Sequence, residues 1–339
     1  EMDKLAQQYI LDNIQGAIWN SRRLINEVMH YRQNFKDELT LSNFLAHFNL
    51  DPRALYKSTC WSELLRNGNE LSYEDDAYTD VFAKNMYRLV HVNSIGYIRF
   101  MQKLISDGFT YEHNKVNDIY ALMLYYALYA APLPKSGVGS VEEGLRIFGA
   151  HQCFVEELRE LLDYIVNNLN VNTRLIPELG GLPLELFGCY TREEQLIILG
   201  KITADKTFIP QSGVYPIEES NTELLWVTLN KNDKDFSERT QYNDYAINES
   251  LFHWQSQNSA SHNTKSGRRY VEQKENHKTF LLLVREHKND GYGFTEPYYL
   301  LGPVTYRSSQ GDKPMSITWE MKYHMPVFIL DKAMKQAVG

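Results

Sequence analysis

The sequence predicts an α+β multidomain fold, with an all-α helical domain over residues 1–200 followed by a mostly β domain over residues 201–339. Three observations carry this reading. Apolar residues recur at three- and four-residue steps up to Gly200 and not after it. Beyond Gly200 the texture changes to short β-type runs punctuated by Gly, Pro, Asn and Asp. The chain has 339 residues, 43% of them hydrophobic and 13% aromatic, so it is long enough for two ordinary cores.

The helical elements follow from the spacing. Ile14, Ile18, Ile25 and Val28 form one apolar stripe; Val81, Phe82, Met86 and Leu89 form a second. Ile98, Met101, Leu104 and Ile105, then Phe154, Leu158, Leu161, Leu162 and Ile165, form two more. Asp51-Pro52, Asn67-Gly68 and the stretch 132–137 break the pattern, and the last of these reads as a loop. Thr191 with Glu194 ahead of Leu196, Ile197 and Ile198 spells a capping box that opens one more helix, ended by Gly200. The strand candidates are 224–229, 280–284, 298–301, 304–306 and 316–323. Turns are expected at Asn289-Asp290-Gly291 and Gln310-Gly311-Asp312, and a closing helix at 330–336. Residues 256–267 form a polar stretch too long for a neutral hairpin loop, a length usually reserved for function or disorder.

Charge separates the halves as well. Residues 1–200 carry 18 Lys and Arg against 26 Asp and Glu, whereas residues 201–339 carry 17 of each. Within 262–288 seven cations (Lys265, Arg268, Arg269, Lys274, Lys278, Arg285, Lys288) face three anions, so a local basic patch fits there despite the net charge of −8. Cys60, Cys153 and Cys189 stand far apart, which suits a reducing cytoplasm and indicates neither a disulfide framework nor a metal site. No apolar run approaches a membrane span, and no export signal opens the chain, so no membrane partner is expected.

The densest chemistry lies in residues 242–257. Tyr242, Tyr245, Phe252, His253 and Trp254 offer rings beside Asp244, Gln255, Ser256 and Gln257, which can hydrogen-bond a base edge. A pocket for one extruded base needs both, because stacking is worth roughly 1–3 kcal/mol per base and hydrogen bonds select among bases. Downstream, Ser259, Lys265, Arg268, Arg269 and Tyr270 are candidates for contacts to the nucleic-acid backbone. The same spacing also fits a plain strand with Phe252 and Trp254 in the core and Gln255 and Gln257 on its wet face. In either case alternation sends His253 to the face opposite Trp254.

Catalytic signatures are absent. No phosphate-binding glycine loop, H-E-x-x-H or G-x-S-x-G run occurs. His113-Asn114-Lys115 with Asp118 starts like an H-x-K-x-x-x-x-D nuclease signature, but Tyr120 stands where its carboxylate belongs. No enzymatic activity and no cofactor are expected of this chain.

The runs Ser266-Gly267-Arg268-Arg269-Tyr270, Phe280-Leu281-Leu282-Leu283-Val284-Arg285-Glu286, Tyr298-Tyr299-Leu300-Leu301-Gly302-Pro303-Val304 and Pro314-Met315-Ser316-Ile317-Thr318-Trp319 follow the 240–257 segment in order. Together they resemble the domain of unknown function at the C-terminus of many bacterial superfamily-two helicases, and Tyr190-Thr191-Arg192-Glu193-Glu194 resembles the stretch that precedes it. The chain also resembles SauUSI-like type IV restriction enzymes, in which nuclease and helicase domains precede a helical coupler and a reader of 5-methylcytosine. The resemblance implies that residues 201–339 are similar to SET- and RING-associated or PUA-like domains, a curved sheet or barrel that flips the modified base. It also implies that residues 1–200 are the coupler, and that the partners are double-stranded DNA carrying modified cytosine and the helicase and nuclease domains of the same protein. Two alternatives stay open: a PUA-like module for RNA or single-stranded DNA, and a protein-interaction domain.

Overall fold

A computed structural model describes residues 10–11, 14–15, 17–35, 38–230 and 244–334, so Tyr242 lies outside the described residues. The chain divides into two compact units, one running to Ile209 and including Asp290–Phe294, the other Pro210–Asn289 with the residues from Thr295 onward. The α+β reading stands: the first is helical, the second is built on a mixed sheet.

The helical unit contains α1 (Ser21–Asn34), α2 (Leu41–His47), α3 (Pro52–Tyr56), α4 (Trp61–Asn67), α5 (Thr79–Asn85), α6 (Ile95–Ser106) and α7 (Lys115–Tyr129). After these come α8 (Leu133–Ser136), α9 (Val141–Ala150), α10 (Gln152–Asn167), the two-residue strands β1 (Arg174–Leu175), β2 (Glu185–Leu186) and β3 (Cys189–Tyr190), and α11 (Arg192–Ile198). The stretch 132–137, expected as a loop, winds into the short α8, because Pro132 and Pro134 pre-set helical φ at its start. Thr191 and Glu194 form the expected capping box, with Thr191 Oγ1 accepting from Glu194 N.

Helix α7 is the hub. Tyr120, Ala121 and every residue from Met123 to Tyr129 are buried, so the helix is apolar on nearly all sides, and α5, α6, α9 and α11 pack around it. The approach of α9 is tight: a Cβ at Gly144 would stand 3.0 Å from the Tyr125 ring and 3.1 Å from Tyr129, so a side chain there would push these rings by a few tenths of an ångström.

Several helix N-termini in this unit are met by carboxylates. Glu157 of α10, 1% exposed, accepts from Trp61 N and Ser62 N, both at 2.9 Å, at the first turn of α4. Glu185 accepts from Ile95 N at 3.0 Å and Gly96 N at 2.8 Å at the start of α6. Glu160 accepts from Leu41 N, the first residue of α2, and Glu194 takes Thr191 N at 2.7 Å. Each carboxylate satisfies donors that the helix cannot satisfy itself and sits at the positive end of its dipole.

The second unit contains β4 (Val214–Ile217), β5 (Thr222–Thr228), β6 (Tyr245–Asn248), β7 (Leu251–Gln255), α12 (Lys265–Val271), β8 (Thr279–Arg285), β9 (Tyr298–Gln310), β10 (Ser316–Met321) and α13 (Val327–Ala333). Its sheet runs β4-β5-β8-β9-β10-β7-β6. Only β5 and β8 among these neighbours pair in parallel, which obliges the chain to cross over between them, and α12 lies in that crossover. The runs expected as separate strands at 298–301 and 304–306 are one strand, β9, which absorbs a register shift beside Gly302 (φ 94°). Strands β5 and β8 are buried on both faces, as their unbroken apolar runs require, whereas β7 and β10 alternate buried with half-exposed residues.

Burial pushes Glu160 from 4.5 up to about 7. A raised acid pKa means that the folded chain holds this proton more tightly than the unfolded chain. The contribution of Glu160 to stability is therefore full below about pH 4.5 and declines as pH rises through about 7. Glu160→Gln keeps an acceptor for the Leu41 amide and removes the titration, so its denaturation midpoint is expected to gain on the wild type across that window. A constant difference between the two curves would refute the assignment.

Candidate nucleic-acid interface

Alternation along β7 decides which of its residues are available to a ligand. Phe252 and Trp254 are 0% and 4% exposed, while His253 and Gln255 point to the other face and are half-exposed. The covered face holds a cluster of rings: Trp254 meets Tyr270 edge-on at 5.2 Å, Tyr270 meets Phe280 at 5.9 Å, and Phe280 lies 5.0 Å from Trp319. On the open face the register aligns two polar rows, Tyr245–His253–Thr318–Ser308 and Gln255–Ser316–Gln310. Tyr245 and His253 stack face to face, with centroids 4.7 Å apart and planes 15° from parallel.

The expected base pocket is thereby split, and several assignments are corrected. Phe252 and Trp254 are core residues, because burying them against Tyr270, Phe280 and Trp319 leaves no surface for a base. Tyr270, expected at the nucleic-acid backbone, is fully buried in the same cluster. Ser256 is buried too, its hydroxyl accepting from Met315 N at 2.8 Å and donating to Gln257 O at 3.2 Å. Asp244 is 8% exposed, and its carboxylate accepts from Gln255 N at 2.8 Å, so it braces the strand. Gln257 is half-exposed and donates to Ser212 Oγ at 3.2 Å. Of the expected set, Tyr245, His253 and Gln255 share the open face, joined by Thr318, Ser316, Ser308 and Gln310 from the neighbouring strands.

Arg269 is corrected for an electrostatic reason. Its Nε lies 2.7 Å from the carboxylate of Glu223, a residue of β5 that is fully buried, with Lys278 Nζ at 3.8 Å from the same group. Burial pushes the Glu223 carboxyl up, against the pull of Arg269 and Lys278. A guanidinium held this way is committed to the interior. Lys265 and Arg268 on the outer side of α12 are exposed, as is Ser259.

The loop before α12 is fastened to the β9–β10 turn. Lys313 N donates to Ala260 O at 3.0 Å, and His262 N donates to Asp312 Oδ1 at 2.8 Å. Thr264 caps α12, and Gly267 is obligatory, since a Cβ there would fall 1.9 Å from Ser261 O. Lys265 and Arg268 of α12, Lys313 of the turn and Arg307 of β9 are all exposed. Residues 256–267 are an ordered strap that presents Lys265. Local sequence could not have supplied Lys313 and Arg307, which depend on strand register.

The family described as Domain of unknown function (DUF3427) matches residues 184–333, so this stretch is similar to that domain from β2 through α13. No curated protein matches the chain.

Two truncations should separate core from surface. Trp254→Ala is expected to cost about 3–5 kcal/mol and Arg269→Ala, which strands a buried carboxylate, a similar amount. His253→Ala and Arg268→Ala should each change stability by under about 0.5 kcal/mol. Chemical denaturation of the four variants checks this; a Trp254→Ala chain as stable as wild type would reopen the pocket.

Proposed function

We propose that this chain is the DNA-reading and coupling part of a helicase-type protein, and that the open face of the second unit takes up one unstacked base. The observation that carries the proposal is the half-exposed Tyr245–His253 stack, set in register with Gln255, Ser316, Thr318 and Ser308. Rings supply a platform that any base can stack on, worth roughly 1–3 kcal/mol, and the amide and hydroxyls supply edge contacts. The exposed cations Lys313 and Arg307 of β9 and its turn, and Lys265 and Arg268 on the helix over the other face, are the candidates for phosphate contacts from a duplex that reaches round the sheet, contacts that position the nucleic acid without reading it.

The ligand we assign is duplex DNA carrying 5-methylcytosine, flipped onto the face, in keeping with the resemblance of this region to the readers of type IV restriction enzymes. Burying one methyl is worth only about 0.8 kcal/mol, roughly a fourfold preference. Discrimination therefore has to come also from edge contacts and from nuclease and helicase domains that act only after stable docking. The helical unit fits the coupling role. The openness of the sheet favours a second reading, a single strand of RNA or DNA laid across the face, because such a strand arrives with its bases already unstacked.

Binding curves for methylated duplex, unmodified duplex and single strands discriminate the two. On the first reading the methylated duplex binds tightest. His253→Ala is expected to lose about 1–3 kcal/mol, five- to 150-fold, on the preferred ligand. Arg268→Ala and Lys313→Ala should weaken all duplexes alike and each lower the salt slope by about 1. Absence of salt-dependent binding to any of the three would refute both readings.

A further inference from the structure

Three residues that the DNA-reading role does not use stand in the relation of a hydrolytic triad. Asp312 Oδ1 lies 3.0 Å from His262 Nδ1, and His262 Nε2 lies 2.9 Å from Ser309 Oγ. The phenol of Tyr306 sits 2.7 Å from the same serine oxygen. They come from separate segments, the loop before α12, the end of β9 and the turn after it, and meet because that loop is fastened to the turn. The carboxylate at Nδ1 fixes the ring proton there, which leaves Nε2 as the acceptor for the serine hydroxyl. Asp312 also accepts from His262 N at 2.8 Å, so ring and backbone are held by one oxygen. His262 and Asp312 are exposed and Ser309 is half-exposed, so reagents in solution reach the group.

We propose that Ser309 is a nucleophile activated by His262, with Asp312 as the positioning residue, and that this surface site takes small activated acyl or phosphonyl donors. The step is acyl transfer. Ser309 Oγ bonds to the acyl carbon as its proton passes to His262 Nε2, and the bond from that carbon to the leaving oxygen breaks as His262 returns the proton to the leaving group. Water then repeats the sequence, releasing a carboxylic acid and restoring the serine. The Tyr306 hydroxyl donates to the serine oxygen and steadies charge on it. The site lies on a strand and a turn with no enclosing walls, which selects for small donors with good leaving groups. The proposal stands independently of the DNA-reading role, since none of Ser309, His262 and Asp312 is assigned to the base or the phosphates.

The test uses the full chain and a fluorophosphonate probe, which loses fluoride to an activated serine, followed by peptide mapping. One adduct at Ser309 is expected, absent in Ser309→Ala. Its formation should slow roughly 100-fold in His262→Ala, the lower end of what a general base contributes. Asp312→Asn should slow it less. Ser308, adjacent on the strand and facing the other way, serves as an internal control and should stay unlabelled. Release of nitrophenol from nitrophenyl acetate should follow the same order of variants. A role limited to fastening the loop would lower the melting temperature of these variants without any labelling of the wild type. No adduct at Ser309, or one formed at an equal rate in a folded His262→Ala chain, overturns the proposal.

Discussion

The second unit depends on one buried ion pair, Glu223 with Arg269. A carboxylate fully inside a sheet is costly to desolvate, and it persists because a guanidinium at 2.7 Å and an ammonium at 3.8 Å answer it. The consequence reaches beyond the pair. Arg269 lies on α12, so satisfying Glu223 fixes that short helix over the face that also holds Tyr270, Phe280, Trp254 and Trp319. With the helix pinned from beneath, Lys265 and Arg268 are held on its outer side, and the loop before it is drawn onto the β9–β10 turn. The charge pair thus bears on where Lys265 and Arg268 stand, while the His262–Ser309 group is held by the loop's own bonds to the turn.

The helical unit solves a similar problem by a different route. Its helices are short, and a short helix leaves a large fraction of its backbone donors unsatisfied. Glu157, Glu160, Glu185 and Glu194 meet those donors, three of them from a separate element. Those three contacts therefore lock two parts of the unit together as well as capping one, which explains why Glu157 is tolerated at 1% exposure. The acidity of this half of the sequence is in part an interior property.

Much of this was legible in the sequence, and the limits are physical. Period-3.6 and period-2 patterns separated the helical part from the mostly β part because burial on one side imposes those periods directly. The capping box at Thr191 and Glu194 was legible because both partners lie within one turn. Alternation predicted that His253 would leave the face of Trp254, and the plain-strand alternative for Phe252 and Trp254 is the one the packing adopts. What could not be read were relations between distant segments: Glu223 with Arg269, Glu157 with α4, His262 with Ser309 and Asp312. No local pattern encodes them, so Arg269 looked like any other cation in a basic run. Strand β9 was divided in two because Gly302-Pro303 is a turn signal that pairing on both sides overrides.

The split of residues 244–257 bears on how the proposed reading of DNA can work. A pocket lined by Trp254 would have enclosed the base and desolvated it fully, making discrimination strong and the fold dependent on ligand. On the proposed reading, a platform of Tyr245 and His253 would leave one face of the base toward solvent, so each contact is weaker. The aromatic bulk that a closed pocket would have used is instead spent on the core, which lets the open face vary without unfolding the unit. A platform of this sort gains selectivity by combining several modest terms, stacking, edge contacts and phosphate charge, and by passing the result to domains that act only on long-lived complexes.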